Sequence, residues 1–213
     1  MYTLNTIRRD DPVCYSLLMA SRIGDGFLVK NGINYQFGST CKYIDYLTHK
    51  KEIISKYFHV GNFRKVLSGY GETYSYEFRT RNSTIFTEIA QKPIEEIINS
   101  LDKTSLCYYY LDDGSFHLDK KFVHLYCNSF TKQQTASLKK VIDTCYSGDS
   151  KIRIDKKSNG KQYYYLYIGV AQSKLLLKDV TELLLYHNIE SLMYKVTPRD
   201  YRKDTLNQKL GLD

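Results

Sequence analysis

The sequence predicts an α+β protein of two similar halves, each ordered as helix, two strands, helix, two strands and helix. The first observation is an apolar, helix-length run ending in an acid and a glycine, found at residues 16–26 and again at 105–114. The second is the same order of strand-like alternation and helix-like spacing after each copy. The third is the length of 213 residues, which allows a buried core in one domain or in two small ones.

The first half begins with a predicted helix at residues 12–24, preceded by residues 1–11, which we expect to be a polar lead-in. Asp11 before a proline is a typical helix start. Apolar residues lie on more than one side of this helix, as expected for a central helix. Asn31 and Gly32 predict a type I′ hairpin turn. The other predictions for this half are strands at 27–30, 33–39, 62–67 and 73–81 and helices at 42–58 and 83–90, followed by a short helix at 94–100 that bridges to the second half.

The second half repeats this order. Thr104 can cap a helix that ends at Asp112, and residues 158–160 predict the turn between the last two strands. Strands are predicted at 115–118, 122–129, 151–155 and 162–169, and helices at 132–146 and 173–187. The predicted division is an N-terminal half at 1–92, a linker at 93–103, a C-terminal half at 104–198 and a polar tail at 199–213.

The composition favours a basic, intracellular, nucleic-acid-binding protein. The net charge of +8 and the pI of about 9.1 indicate a polyanionic partner, either nucleic acid or an anionic membrane surface. No apolar run is long enough to span a bilayer, and no long basic amphipathic helix is visible, so the membrane option is weaker. The five cysteines are scattered and odd in number, which predicts reduced thiols in an intracellular protein. A bacterial or phage cytoplasm and an organelle matrix fit equally well.

The two acid-glycine pairs are the strongest functional signal. For either pair alone, a turn that ends a helix is a sufficient explanation. The duplication favours chemistry, with two helices side by side that bring Asp25 and Asp113, 88 positions apart, to one cation site. Two ionised carboxylates about 4 Å apart repel by roughly 4 kcal/mol at an effective dielectric near 20, so they need a cation or a shared proton. Oxygen ligands predict Mg²⁺, for which Mn²⁺ may substitute.

Residues 18–26 and 106–114 resemble the two motifs of the LAGLIDADG homing endonucleases, in the monomeric two-motif branch. The resemblance implies a pseudo-dimer of two αββαββα half-domains, with the motif helices at the central interface and saddle-shaped antiparallel sheets over a DNA major groove. It also implies that the last acid of each motif binds a divalent metal. Ser21 and Arg22 replace apolar letters of the first motif, and Asp112 replaces a small residue of the second.

The same resemblance assigns the site residues. Asp25 and Asp113 are the expected catalytic metal ligands, and the backbone carbonyls of Gly24 and Asp112 are expected to complete the metal site. A metal there can activate water and stabilise the leaving 3′ oxygen. Two lysines near prolines, one in each half, are expected to polarise that water or offset phosphate charge, although each also fits a solvated surface charge. These catalytic lysines are Lys92 and Lys195.

DNA contacts are expected on the polar faces of the strands, since strand ribbons can enter a major groove and read base edges. For any single residue, a solvated sheet face is an equally good reading. The candidates for base contact are Lys30, Asn34, Gln36, Arg79, Arg81, His124, Asn128, Lys151, Arg153 and Lys157. His117 is expected on an outward strand position that faces the DNA, and Arg64 and Lys65 are the candidates for phosphate contact.

The sequence therefore predicts a homing endonuclease that makes a double-strand break in DNA by Mg²⁺-dependent phosphodiester hydrolysis. Its expected partner is double-stranded DNA with a long asymmetric target, bound by a monomer. One alternative is a binding-only member of the family: a maturase that binds its own intron RNA, or a DNA-binding regulator. The other is a basic structural protein whose Asp-Gly turns occur by chance.

Overall fold

Two long helices form the centre of the molecule. In a computed structural model, which describes residues 2–67, 73–156 and 160–197, α2 (Pro12–Ile23) packs directly against α6 (Lys103–Asp113). Asp11 starts α2 as predicted, because its side chain accepts a hydrogen bond from the Cys14 N–H at 3.0 Å. Both helices are buried around most of their circumference, which accounts for their apolar residues on several sides.

The helices and strands repeat the same order around this centre. The first half contains α1 (Leu4–Asp10), β1 (Gly26–Asn31), β2 (Asn34–Cys41), α3 (Ile44–Ser55), β3 (Arg64–Leu67), β4 (Tyr74–Arg79), α4 (Thr84–Gln91) and α5 (Ile94–Asn99). The second contains β5 (Gly114–His117), β6 (Phe122–Cys127), α7 (Lys132–Tyr146), β7 (Lys151–Lys156), β8 (Gln162–Ile168), α8 (Val170–Tyr186) and a 3₁₀ turn (Met193–Lys195). The predicted α+β class and the duplicated order are confirmed.

Each half has one four-stranded antiparallel sheet, with strand orders β1-β2-β4-β3 and β5-β6-β8-β7. The two orders are equivalent strand for strand. In each sheet one face is buried beneath helices: Phe37 and Phe78 in the first, and Leu125 and Leu166 in the second. Because side chains alternate along a strand, the intervening residues lie on the opposite surface, here called the open face. The duplication therefore produces two open faces, one for each half.

Residues 1–11 are not the predicted polar lead-in. Helix α1 begins after the cap Thr3 and packs against α2, with Leu4 and Ile7 buried. Two apolar residues three positions apart are enough to bury one side of a short helix. The prediction failed because so short an amphipathic pattern, surrounded by charged residues, is a weak signal.

Two local predictions are also wrong. Asn31 does not have positive φ; the two-residue turn has Gly32 at its first central position with φ +68°, as in a type II′ turn. Helix α6 is capped by Asp102, with Ser105 completing a capping box, instead of by Thr104. The predicted tail at 199–213 and most of the turn at 158–160 lie outside the described residues. Among the described helices, none is long and apolar enough to cross a membrane.

Candidate active site

The ends of the two central helices meet. Gly24 is the C-cap of α2 and Asp25 follows it, while Asp112 and Asp113 end α6. The Asp25 N–H donates a hydrogen bond to Asp112 Oδ2 at 3.2 Å. A Cβ on Gly24 would lie 2.8 Å from the same oxygen, so glycine at this position permits the close approach of Asp112.

The Asp25 and Asp113 carboxylates share one negative environment. Loss of hydration and the charge of Asp112 raise the pKa of Asp25 to about 6. Loss of hydration and the charges of Asp25 and Asp112 raise the pKa of Asp113 to about 7. Among the described residues, neither carboxylate accepts a hydrogen bond or forms an ion pair. Two neighbouring carboxylates without partners are a donor set that fits a hard divalent cation such as Mg²⁺.

The Asp112 side chain, which lies beside this pair of acids, has partners of its own. Its Oδ1 accepts hydrogen bonds from Lys50 Nζ at 2.7 Å and from the Tyr46 hydroxyl at 2.9 Å. The Asp112 carboxylate and the Lys50 side chain are both fully buried. Sequence reasoning missed Lys50 and Tyr46. Their spacing of four places them on one side of α3, but nothing in the sequence shows that this side faces the other half.

Asp112 also orients the Gly24 carbonyl. The Asp25 N–H and the Gly24 C=O belong to one planar trans peptide, in which they point in opposite directions. The hydrogen bond from this N–H to Asp112 therefore directs the Gly24 carbonyl away from the Asp112 carboxylate. A carbonyl predicted to be a metal ligand is thus fixed by a side chain of the other motif.

Lys195 lies beside the end of the second motif. Its Nζ donates a hydrogen bond to the Leu111 carbonyl at 2.6 Å and lies 3.4 Å from the Asp112 carbonyl oxygen. The Tyr110 hydroxyl donates to the Lys195 carbonyl at 2.6 Å, which anchors the 3₁₀ turn to α6. Burial lowers the pKa of Lys195, and the nearby carboxylates, Asp112 first, oppose that shift.

Lys92 is not at this site. Its Nζ forms an ion pair with Glu96 and lies 4.0 Å from Glu88, and its side chain lines a cavity beside Tyr15. Tyr15 is in the first turn of α2, whereas Asp25 follows the last turn, roughly 15 Å further along the helix axis. The expected equivalence of Lys92 and Lys195 fails because the Lys-Pro segments of the two halves lie at different distances from the motif ends.

Comparison with known families agrees with this geometry. A family model described as the LAGLIDADG DNA endonuclease family matches residues 17–176, well over half of the chain. The chain belongs to this family. Comparison with curated proteins gave no match.

Solved structures share the LAGLIDADG fold at low sequence identity. The homing endonuclease I-WcaI bound to its DNA recognition sequence is 16% identical, covers 92% of this chain and 88% of its own, and has a TM-score of 0.69. I-DmoI in complex with DNA and Mn is 14% identical and has a TM-score of 0.55; the match covers 79% of this chain and 96% of the I-DmoI chain. Full-length DUF199/WhiA from Thermatoga maritima is 12% identical and also has a TM-score of 0.55; the match covers 94% of this chain and 66% of the DUF199/WhiA chain.

The open face of the N-terminal LAGLIDADG half contains some of the predicted DNA contacts. Gln36, Arg79 and Arg64 alternate with buried or helix-facing positions and so point to the open side. Lys30 pairs with Tyr35, and Lys65 with Tyr76, on the side of the sheet that carries the helices. By this register neither Lys30, predicted for base contact, nor Lys65, predicted for phosphate contact, lies on the open face.

A charge network occupies the centre of this N-terminal face. The Glu77 carboxylate is bound by the Arg79 guanidinium at 2.8 Å and by the Arg64 guanidinium, and these contacts lower the pKa of Glu77. The Arg79 guanidinium also lies 5.3 Å from the centre of the Phe27 ring. Sequence reasoning identified both arginines but not the acid that pairs with them.

The C-terminal half presents most of its candidates to the open side. His124 pairs with Ser115 and Tyr167 across the sheet, and all three alternate with buried residues. Four more candidates are exposed on strands or just beyond them: His117, Asn128, Lys151 and Arg153. In the N-terminal half, Arg81 is exposed beyond β4, and the Asn34 amide oxygen accepts a hydrogen bond from Thr87. Lys157 lies outside the described residues.

Proposed function

We propose that this chain is a site-specific DNA endonuclease that cuts both strands of a long duplex target by Mg²⁺-dependent hydrolysis, with Mn²⁺ able to substitute. The observation that carries the proposal is the pair of neighbouring carboxylates, Asp25 and Asp113, where the two central helices end; neither has a hydrogen-bond or ion-pair partner among the described residues. Membership of the LAGLIDADG DNA endonuclease family and the fold shared with DNA-bound homing endonucleases support it. The single chain supplies both halves, so a monomer suffices.

The two carboxylates would hold the divalent metal, with the Gly24 and Asp112 carbonyls as further oxygen ligands. When bound, such a metal lowers the pKa of a water and stabilises charge on the leaving oxygen. Asp112 keeps the Gly24 peptide in one orientation, as described above. The Lys195 ammonium lies beside the second motif and would offset negative charge that develops on the phosphate.

The test begins with the DNA that the protein selects from a random duplex library. Wild-type protein is expected to cut both strands of a selected duplex in Mg²⁺. Asp25→Asn and Asp113→Asn should each lower the cleavage rate by about 10³-fold or more, because a metal contributes several kcal/mol to such a transition state. Binding, measured by gel shift without Mg²⁺, should change only a few-fold.

Binding by wild-type protein without cleavage would instead indicate a DNA-binding regulator. A strong preference for structured RNA, with no DNA site selected, would indicate the maturase alternative. Unchanged cleavage by Asp113→Asn would contradict the assignment of the site itself.

A further inference from the structure

The open face of the C-terminal half carries a continuous band of rings. We define the aromatic band as His117 of β5, Phe122, His124 and Tyr126 of β6, and Tyr165 and Tyr167 of β8. His117 stacks on Phe122 with ring centres 4.5 Å apart, and the Phe122 and Tyr167 rings are 4.8 Å apart. His124 lies 4.6 Å from Tyr165. Every ring of the band touches another, so the band is a preformed surface rather than a set of separate side chains.

This band lies on the surface that the helices leave uncovered. Val123, Leu125 and Cys127 alternate with the β6 members of the band and are buried on the helix side. Tyr126 is 36% exposed and His117 is exposed, so the surface remains accessible. An accessible cluster of rings on a monomer is typically an interaction site.

Charge favours a nucleic acid as the occupant. Lys151 and Arg153 of the neighbouring strand β7 are exposed and pair with Tyr167 and Tyr165 across the sheet. Burial, together with the adjacent His117, lowers the pKa of His124 to about 4, so its ring is uncharged at neutral pH. The surface thus combines an aromatic centre with a cationic edge, on a chain of net charge +8. Cations at the edge suit phosphates, while the centre contacts the groove between them.

The chemistry of the duplex narrows what the rings can contact. Base faces are stacked inside a duplex, so a protein in the major groove meets only base edges. Donors and acceptors dominate those edges, and the thymine C5-methyl is the apolar group among them. The N-terminal open face differs, because it carries the Arg64–Glu77–Arg79 charge network, with the Phe27 ring beside the Arg79 guanidinium.

We propose that the aromatic band recognises thymine methyl groups in one half of the DNA target, whereas the N-terminal face reads its half through polar groups. The inference rests on the DNA-binding part of the proposed function and is independent of cleavage. It predicts an asymmetric target in which one half depends on thymine methyls. The residues of the aromatic band would then determine which DNA sequence is bound. Lys151 and Arg153 would contribute to the affinity for any sequence.

The experiment replaces thymine by uracil, which lacks only the methyl group, in one half of the selected duplex at a time. Binding is measured without divalent metal, so cleavage does not affect the result. In the half read by the band, each contacted methyl that is lost should weaken binding about fourfold. The same replacement in the other half should leave binding nearly unchanged.

Variants identify the half read by the band. Phe122→Ala combined with Tyr167→Ala should bind thymine and uracil duplexes equally, while the matched control Tyr186→Ala, which removes an exposed tyrosine from α8, should keep the difference. Equal binding of thymine and uracil duplexes by the folded wild-type protein would overturn the inference. Methyl dependence without any cleavage would leave it standing and refute only the nuclease assignment. Preference for RNA, whose uracils have no methyl group, would refute both.

Discussion

The two motif ends differ more than the two motif helices do. Both helices are buried at the centre and both end in an acid and a glycine. Lys50 and Lys195, however, both contact the second motif end: Lys50 holds the Asp112 carboxylate and Lys195 the Leu111 carbonyl. The first motif end has no lysine in contact among the described residues, and its contact across the interface is the Asp25 N–H.

This difference shows that the motifs are complementary rather than equivalent. Asp112 occupies the position that Gly24 occupies in the first motif, and each requires the other. Glycine leaves room for the Asp112 carboxylate, and that carboxylate fixes the Gly24 peptide. A chain with acids at both positions would place one more negative charge at the junction than this chain does. With glycine at position 24 and an acid at position 112, the two helix ends can approach each other, and only the Asp112 charge needs a buried partner, which is Lys50.

Removing Lys195 should produce the largest effect among the residues that surround the acids. In Lys195→Met, single-turnover cleavage of the selected duplex should fall by about 10²-fold, because a donor placed beside developing charge typically contributes that much. Binding should change by less than threefold, since the ammonium bonds to backbone carbonyls of its own half. A cleavage rate within threefold of wild type would show that Lys195 only anchors the 3₁₀ turn.

Removing Lys50 should mainly lower the free energy of unfolding. Lys50→Met leaves the Asp112 carboxylate buried without its cation, which typically costs about 3–5 kcal/mol in the free energy of unfolding. The measurement is urea unfolding of the metal-free protein. Lys51→Met is the matched control, since the Lys51 ammonium lies 4.5 Å from the centre of the Phe63 ring and should matter by less than about 1 kcal/mol.

A double variant measures how much of the Lys50→Met effect comes from the Lys50–Asp112 ion pair itself. Lys50→Met with Asp112→Asn should be more stable than Lys50→Met alone, because the neutral amide needs no cation. The amide can still accept the Asp25 N–H, so the double variant should keep much of the wild-type cleavage activity. If the double variant is as unstable as the sum of the two single variants, the Lys50–Asp112 pair is not the interaction that matters.

The pH dependence follows from the raised pKa values. Asp25 and Asp113 titrate near 6 and 7 when folded, against about 3.9 when unfolded, so the folded state binds more protons between roughly pH 4 and 7. The metal-free protein therefore loses stability as the pH rises through this range. A divalent metal must displace those protons, so its stabilisation should be small at pH 5 and increase towards pH 8.

Thermal unfolding with and without Mg²⁺ at pH 5 and pH 8 measures this effect. Asp25→Asn with Asp113→Asn should abolish the Mg²⁺-induced shift at both pH values. The matched control Asp119→Asn, which neutralises an exposed acid elsewhere, should keep it. An equal Mg²⁺-induced shift at pH 5 and pH 8 would mean that the metal does not compete with these protons.

The sequence was informative wherever a local pattern repeats. The duplicated order, the cap at Asp11 and the junction of the acids could all be predicted, because each depends on short-range propensity or on symmetry. Long-range contacts could not. Lys50 is 62 positions from Asp112, and nothing local indicates that this lysine points across the interface. The same holds for Glu77 between its arginines, since a strand pattern shows alternation but not partners.

The similarity of the two halves also led to one wrong prediction, which concerns Lys92. The repeated Lys-Pro pattern suggested equal roles for Lys92 and Lys195, but Lys92 pairs with Glu96 near the opposite end of α2. Lys92→Met should therefore change the cleavage rate by less than twofold, and stability by less than about 1 kcal/mol, as is usual for an accessible ion pair. Single-turnover cleavage beside Lys195→Met is the measurement. A loss as large as that of Lys195→Met would mean that Lys92 moves to the acids when DNA binds, and that the two halves are functionally equivalent despite their different resting contacts.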